Sequence, residues 1–286
     1  MQVREKIRML PGKQTRTRMK KMLLLAWLLG LGPVYHAAAQ TQAAQPKKEL
    51  TDAEMLTLYK GLRVADVSDG MDMVGLKDVG LLSTSIGALW KDTDKFAHQF
   101  VGIALTVRYV PTNRSTTPQT LADYKRWRDM WYTNLSGEPF IDAIKPGHVV
   151  VIDNAGDKDA GSTGSNNSMI WRSRGAVGIV SAGGVRDTDE IIKQQIPVYM
   201  DVSKRGRGIR PGRNELESFN KPVVVGGVYI RPGDVVVADG DGVVVVPRER
   251  AAEVAQAARE ELRLDKAARK RLYQQLGIPS DFTVED

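Results

Sequence analysis

The chain has 286 residues and no cysteine, which excludes disulfides, thiolate metal sites, a cysteine nucleophile and a lipid-modified N-terminal cysteine. Histidine is nearly as scarce: beyond residue 39 only His98 and His148 remain. No Ser-His-Asp triad can be assembled with a third partner in view. Chemistry must therefore come mainly from Asp, Glu, Arg, Lys, Ser and backbone amides. Long hydrophobic runs are also missing. The apolar stretch Met22 to Val34 has 13 residues, short of the roughly 20 that a helix needs to cross a bilayer. An excess of one charge is lacking too, once the N-terminus is set aside. Residues 1–39 hold eight of the 41 basic and one of the 34 acidic residues, leaving 33 of each sign in the rest of the chain. The net charge of +7 is thus a property of the N-terminus, and a nucleic-acid partner is not indicated.

Residues 1–39 have the layout of a secretory signal: a basic stretch ending RMKK, the apolar run, and then Ala37-Ala38-Ala39 as a small-residue cleavage site. Cleavage after Ala39 is preferred to an uncleaved anchor, predicting a periplasmic or secreted chain with no membrane association after processing. Residues 40–50 read as a polar linker. At 42% hydrophobic residues the remainder can bury a sizeable core. Thr51 to Glu54 has capping-box spacing and predicts a helix to about Leu62. A second short helix is expected from Asp66; Asp66, Asp69 and Asp72 on it are extra ligands or, more simply, capping and solvated acids. From Val101 onwards, short β-branched runs separated by Gly and Pro predict strands, several apolar on consecutive positions and so covered on both faces. They include FVGIALTVRYV, HVVVID, AVGIVSA, IPVYMDV, PVVVGGVYI, DVVVAD and GVVVVP. Helical stretches between them make this an α/β or mixed α+β domain.

Two segments, IKPGHVVVIDNAG and IRPGDVVVADGDG, repeat one register and predict equivalent strands ending at Asp153 and Asp239. The DGDG of the second lacks the further ligands of a calcium loop and reads as a tight turn. Within residues 109–140, Tyr124, Trp127, Trp131 and Leu135 fall at helical spacing. They form either a lid or partner-binding helix or, the reading preferred, an aromatic stripe packed on the sheet. Residues 248–286 read as a C-terminal amphipathic helical segment.

The stretch GAVGIVSAGGVRDTDE, residues 175–190, carries the sharpest signal. A buried strand ends in a glycine pair followed by Arg186 and Asp187. Some 20 residues earlier, a Gly/Ser loop leads to a helix start at Gly164 to Asn167, whose free N–H groups suit an anion. Ligands of α/β sheets gather at the carboxyl ends of strands. There Asp187 is a hard oxygen ligand for Mg²⁺ or Mn²⁺, and Arg186 a fork for a carboxylate or developing oxyanion. The residue types alone also allow a plain alternative, in which Asp187 and Glu190 form the capping box of a following helix and Arg186 is solvated.

These elements in this order, PGHVVVIDNAGD, GSNNSMIWRSRGAVGIVSAGGVRDTDEI, IPVYM and VVVGGVYIRPGDVVVADGDGVVVVP, resemble the family of the regulator of ribonuclease E activity A (RraA) and the 4-hydroxy-4-methyl-2-oxoglutarate aldolases, over about residues 61–265. The resemblance implies a swivelling β/β/α-type α/β domain over 51–247 with the C-terminal helix, assembled as a homotrimer with sites between subunits. It implies a divalent-metal-dependent carbon–carbon lyase acting on a small 2-oxo acid through a pyruvate enolate, as an aldolase or an oxaloacetate decarboxylase. Arg186 and Asp187 match the catalytic pair, with Arg186 on substrate and Asp187 on metal. Gly164, Ser165, Asn166 and Asn167 match the loop that holds pyruvate. An acid from a neighbouring C-terminal region, Glu260 or Glu261 here, would order water. The sequence departs from the aldolase pattern at Ser165, where an aspartate is usual, and in the long 109–140 segment. The first departure bears on aldol cleavage, which must remove a hydroxyl proton, more than on decarboxylation. The alternative is a non-catalytic RraA-like binding or regulatory protein.

Overall fold

A computed structural model describes residues 49–116, 120–157, 159–204 and 206–285. The expected signal at 1–39 and most of the 40–50 linker lie outside the described residues. From Lys48 onwards the chain forms one compact unit.

Thr51 caps helix α1 (Asp52–Tyr59) through the predicted capping box with Glu54. Helix α2 (Val64–Met73) starts two residues before Asp66. Asp66 is buried, and its carboxylate takes the Arg63 backbone N–H and guanidinium. It therefore closes a capping box instead of holding a ligand.

Among the described residues ten strands follow: β1 (Ile86–Ala88), β2 (Phe100–Pro111), β3 (His148–Asp153), β4 (Gly178–Ser181), β5 (Val198–Asp201), β6 (Asn214–Phe219), β7 (Val223–Val225), β8 (Val228–Ile230), β9 (Val235–Asp239) and β10 (Gly242–Val246). The main sheet runs β1-β5-β4-β3-β2-β9-β10, with β6 also on β2. Its two ends approach each other, since Leu82, just before β1, donates its N–H to Val243 of β10 at 3.0 Å. The sheet is therefore nearly a closed barrel. The sequence repeat has a structural meaning: β3 pairs parallel to β2 and β9 antiparallel to it, both registered on Ile103. The two copies flank one central strand in opposite directions. The Gly240-Asp241 turn joins β9 to β10, and Asp239 accepts the N–H groups of Val64 and Asp241, with no calcium geometry.

Alternate residues of the strands face two sides. Inward, Val149, Val151, Val180 and Val236 form a core with the β7–β8 hairpin. The run PVVVGGVYI is thus two short strands, because Gly226 and Gly227 both take positive φ and make the tight turn that a two-residue hairpin requires. Outward, Val235, Val237, Val244 and Val246 pack under α1, α2 and the first half of helix α6 (Ala251–Leu276). The C-terminal helix therefore shares a core with the sheet. On the other flank Leu105, Val150, Ile152 and Ile179 pack under helices α4 (Ser165–Ser173) and α5 (Thr188–Lys193) and Phe140. Strands covered on both faces are what the continuous apolar runs predict. Helix α3 (Leu121–Asn134) lies between β2 and β3 in sequence and rests on β6 through Trp131, whose Nε1 donates to the Asn214 carbonyl at 3.0 Å.

Candidate active site

The parallel strands β3, β4 and β5 with α4 and α5 form a βαβαβ run whose carboxyl ends point to one rim, where ligands of such sheets collect. After β4 the chain pairs briefly with the loop before α4: Thr163 bridges Val185, and Arg186 donates its N–H to the Thr163 carbonyl at 2.9 Å. This bridge brings the Arg-Asp pair beside the start of α4. Asp187 then adopts φ 54° and ψ 43°, a left-handed conformation uncommon outside glycine and tolerated best by Asn and Asp.

That turn decides between the two readings of Asp187. It occupies the cap position of α5 but makes no side-chain cap bond there. Its carboxylate instead reaches the start of α4: Oδ2 accepts the Ser165 N–H at 3.2 Å, and Oδ1 takes the Arg186 Nε–H at 3.2 Å. The capping-box reading of Asp187 is corrected accordingly. Gly164 makes the approach possible, since a Cβ there would stand 2.7 Å from Asp187 Oδ2. The Arg186 and Asp187 side chains are 33% and 35% exposed, enough to meet a ligand from solvent.

The expectation for residues 164–167 also needs refinement. The Ser165 amide is already committed to Asp187 and is not free for a substrate carboxylate. Asn167 turns its Nδ2 to the carboxylate of Glu138. Gly164 and Asn167 line the cleft with Arg186 and Asp187, whereas Asn166 does not. The cleft measures about 360 Å³. Larger hollows of about 610 and 460 Å³ lie against Phe100 and Val177, but they contain no carboxylate, and size alone supplies no chemistry.

Residues that sequence reasoning did not single out also line the cleft, among them Arg128, Asp129 and Tyr132 of α3, and Arg210. Arg210 is only 4% exposed. It forms an ion pair with Glu138 at 2.6 Å, donates to the Tyr109 hydroxyl, and lies 5.2 Å from the ring centres of Tyr109 and Tyr132. Burial works against its charge, but Tyr109 and Glu138 outweigh it and raise its pKa. It is a permanent cation at the back of the cleft. Glu138 also accepts the Trp171 Nε1–H at 3.0 Å, so one buried carboxylate ties Arg210, α4 and Asn167 together. Arg210 stands in RGRGIRPGRNE, whose crowding of Arg with Gly and Pro was the available signal.

Other candidates fall elsewhere. Glu260 and Glu261 lie on α6, outside this cleft, and Glu260 pairs with Arg263. His148 is buried under the β3 start, its Nδ1 accepting the Lys145 N–H at 3.4 Å, and burial lowers its pKa. Among the described residues no three His, Cys, Asp or Glu side chains gather as a metal cluster.

Known proteins support the assignment of the fold. The chain is 28% identical over 215 residues to protein DlpA of Legionella pneumophila, covering 73% of this chain and 31% of that protein. It is 34% identical over 127 residues to a Halalkalibacterium halodurans protein named "Putative 4-hydroxy-4-methyl-2-oxoglutarate aldolase", covering 44% of this chain and 58% of the relative. The chain thus spans 31% and 58% of these two relatives' lengths. A crystal structure of an uncharacterized protein from Pseudomonas syringae pv. tomato superposes with a TM-score of 0.60 at 27% identity, covering 82% of this chain and 97% of that one. The RraA-like family model, described as Aldolase/RraA, matches residues 64–245, and on this the chain belongs to the RraA-like family.

Proposed function

We propose that the protein is a divalent-metal-dependent lyase that breaks a carbon–carbon bond of a small 2-oxo acid and releases pyruvate by way of its enolate. The observation that carries this reading is the inward turn of Asp187, whose carboxylate sits against the α4 start with Arg186 beside it in an open cleft. The aldolase named among the relatives supports the reaction class.

The donor set fits a Mg²⁺ or Mn²⁺ ion. Such an ion commonly takes one or two carboxylates and keeps several waters, and Asp187 is a half-exposed carboxylate in a polar cleft. Asp187 would hold it. When bound, it would draw electron density from the 2-oxo group and steady the enolate charge. The chain's own residues do the rest. The Arg186 guanidinium, its Nε already oriented by Asp187, offers its remaining donors to the substrate carboxylate or enolate oxygen. Arg210, its charge balanced by Glu138, holds the back wall in place through Tyr109 and Tyr132. Trimer assembly, with an acid supplied by a neighbour, remains part of the proposal.

The test is a panel of 2-oxo acids on the processed protein with Mg²⁺ and then with chelator. Pyruvate release from oxaloacetate above the metal-only rate, lost with chelator and reduced at least ~100-fold by Asp187→Ala, is the expected result. Undiminished turnover by Asp187→Ala rejects the assignment. Ser165, standing where the aldolase pattern has an acid, favours one second reading, a non-catalytic binding protein. Calorimetry showing 2-oxo acid binding with no product would select it.

A further inference from the structure

If the chain cleaves a 4-hydroxy-2-oxo acid, the cleft must contain a group that takes the hydroxyl proton. Among the described residues of one chain, histidine is absent from its lining and two carboxylates reach it, Asp187 and Asp129. Asp187 is engaged at both oxygens, by the Ser165 N–H and by Arg186. Glu138, close behind, is held by Arg210, Asn167 and Trp171. Asp129 is different. Arg128 places both Nε and Nη2 on its Oδ1, at 3.0 and 2.9 Å. Among the described residues nothing donates to its Oδ2, and the side chain is 66% exposed. It is a carboxylate oriented through one oxygen with the other left open.

The position is built. Helix α3 carries the tilted Tyr124, Trp127 and Trp131 rings along one side, at 5.6 and 5.5 Å between successive centres, and the Trp127 ring lies against Gly212. Trp131 is buried and bonded to the Asn214 carbonyl. With that face pinned, the face carrying Arg128, Asp129 and Tyr132 turns towards Arg186 and Asp187. Tyr132, one turn beyond Arg128, packs on the buried Arg210. The orientation of α3 over the cleft is thus set by packing on two sides.

We infer that Asp129 is the proton acceptor for aldol cleavage in this chain, a role that rests on the lyase reading above. The C4 hydroxyl proton passes to Asp129 Oδ2, directly or through one water, as the C4–O bond becomes a carbonyl. The C3–C4 bond breaks and its electron pair becomes the pyruvate enolate beside Arg186. Proton uptake at C3 completes pyruvate, and the Asp129 proton returns to solvent. Decarboxylation of oxaloacetate removes no hydroxyl proton and makes no demand on Asp129.

The processed protein is assayed with 4-hydroxy-4-methyl-2-oxoglutarate and with oxaloacetate, both with Mg²⁺. Asp129→Asn is expected to lower cleavage by ~100-fold or more, the scale of general-base catalysis, and to leave decarboxylation within about twofold. Asp129→Glu should recover part of the cleavage. Equal losses in both reactions would overturn the inference in favour of a structural or electrostatic role, and full cleavage by Asp129→Asn would overturn it outright. Wild-type protein that decarboxylates without cleaving also overturns it while the lyase reading stands. Wild-type protein inactive on both substrates removes the lyase reading and this inference together.

Discussion

At the residue scale, the site depends on one backbone angle and one missing side chain. Asp187 at positive φ turns its carboxylate away from the helix it precedes, and Gly164 leaves the space into which it turns. Gly164→Ala should therefore act on function before stability. The new methyl would lie 2.7 Å from Oδ2, too close for any real contact, and displacement of the half-exposed carboxylate relieves it. A shift near 1 Å at a reacting group costs on the order of 100-fold in turnover. The expected outcome is that loss in oxaloacetate turnover, with a thermal midpoint within a few degrees of wild type by scanning calorimetry. Gly164 and Asp187 were both legible as site residues in the sequence, because a glycine-led helix start and an Arg-Asp pair have local signatures. Their mutual contact was not, since 22 residues separate Asp187 from Ser165 and only the Thr163–Val185 bridge closes the gap.

At the element scale, α3 is the part of the molecule where packing and lid readings meet. Trp131 of the aromatic stripe packs on β6 while Tyr124 and Trp127 stay partly buried, and Arg128, Asp129 and Tyr132 of the same helix border the cleft. Trp131→Ala removes a fully enclosed ring and its bond to Asn214, a change worth about 3–5 kcal/mol when the site cannot collapse. Because α3 touches the body mainly through this face, the loss should appear as local opening. Hydrogen exchange at the amides of residues 121–134 should speed up while that of the barrel strands stays slow, and the KM for a 2-oxo acid should rise more than kcat falls. Strand β6 was missed because NELESF carries little β-branched character. It forms a strand because the outer half of β2 offers it an unpaired edge, and tertiary context overrides propensity in such cases.

At the scale of the whole molecule, the excess of positive charge belongs to one end of the chain. With 33 residues of each sign beyond residue 39, the rest of the chain is balanced in charge as a whole. We propose that residues 1–39 direct export and are then removed. The intact mass of the protein recovered from the periplasmic or external fraction of an expressing bacterium should match a chain starting near Gln40. Full-length mass in the cytoplasm, with none exported, would reject this. Among the described residues no helix is long and apolar enough to cross a membrane.

What the sequence by itself determined was local: capping at Thr51, the doubly covered strands, the repeat around two Pro-Gly turns, and the Arg-Asp pair behind a glycine loop. Each depends on periodicity or on residues within a few positions of one another, which a linear reading can see. What only the tertiary structure decided was which groups share a volume. Arg210 and Glu138 are 72 positions apart and meet because the chain after α3 and the chain before β6 both bond the Tyr109 hydroxyl of β2. Asp129 and Asp187, 58 positions apart, line one cleft because Trp131 and Tyr132 seat α3 on the body. Contacts of that kind are fixed by the summed burial of distant apolar surfaces, which no short stretch of residues encodes.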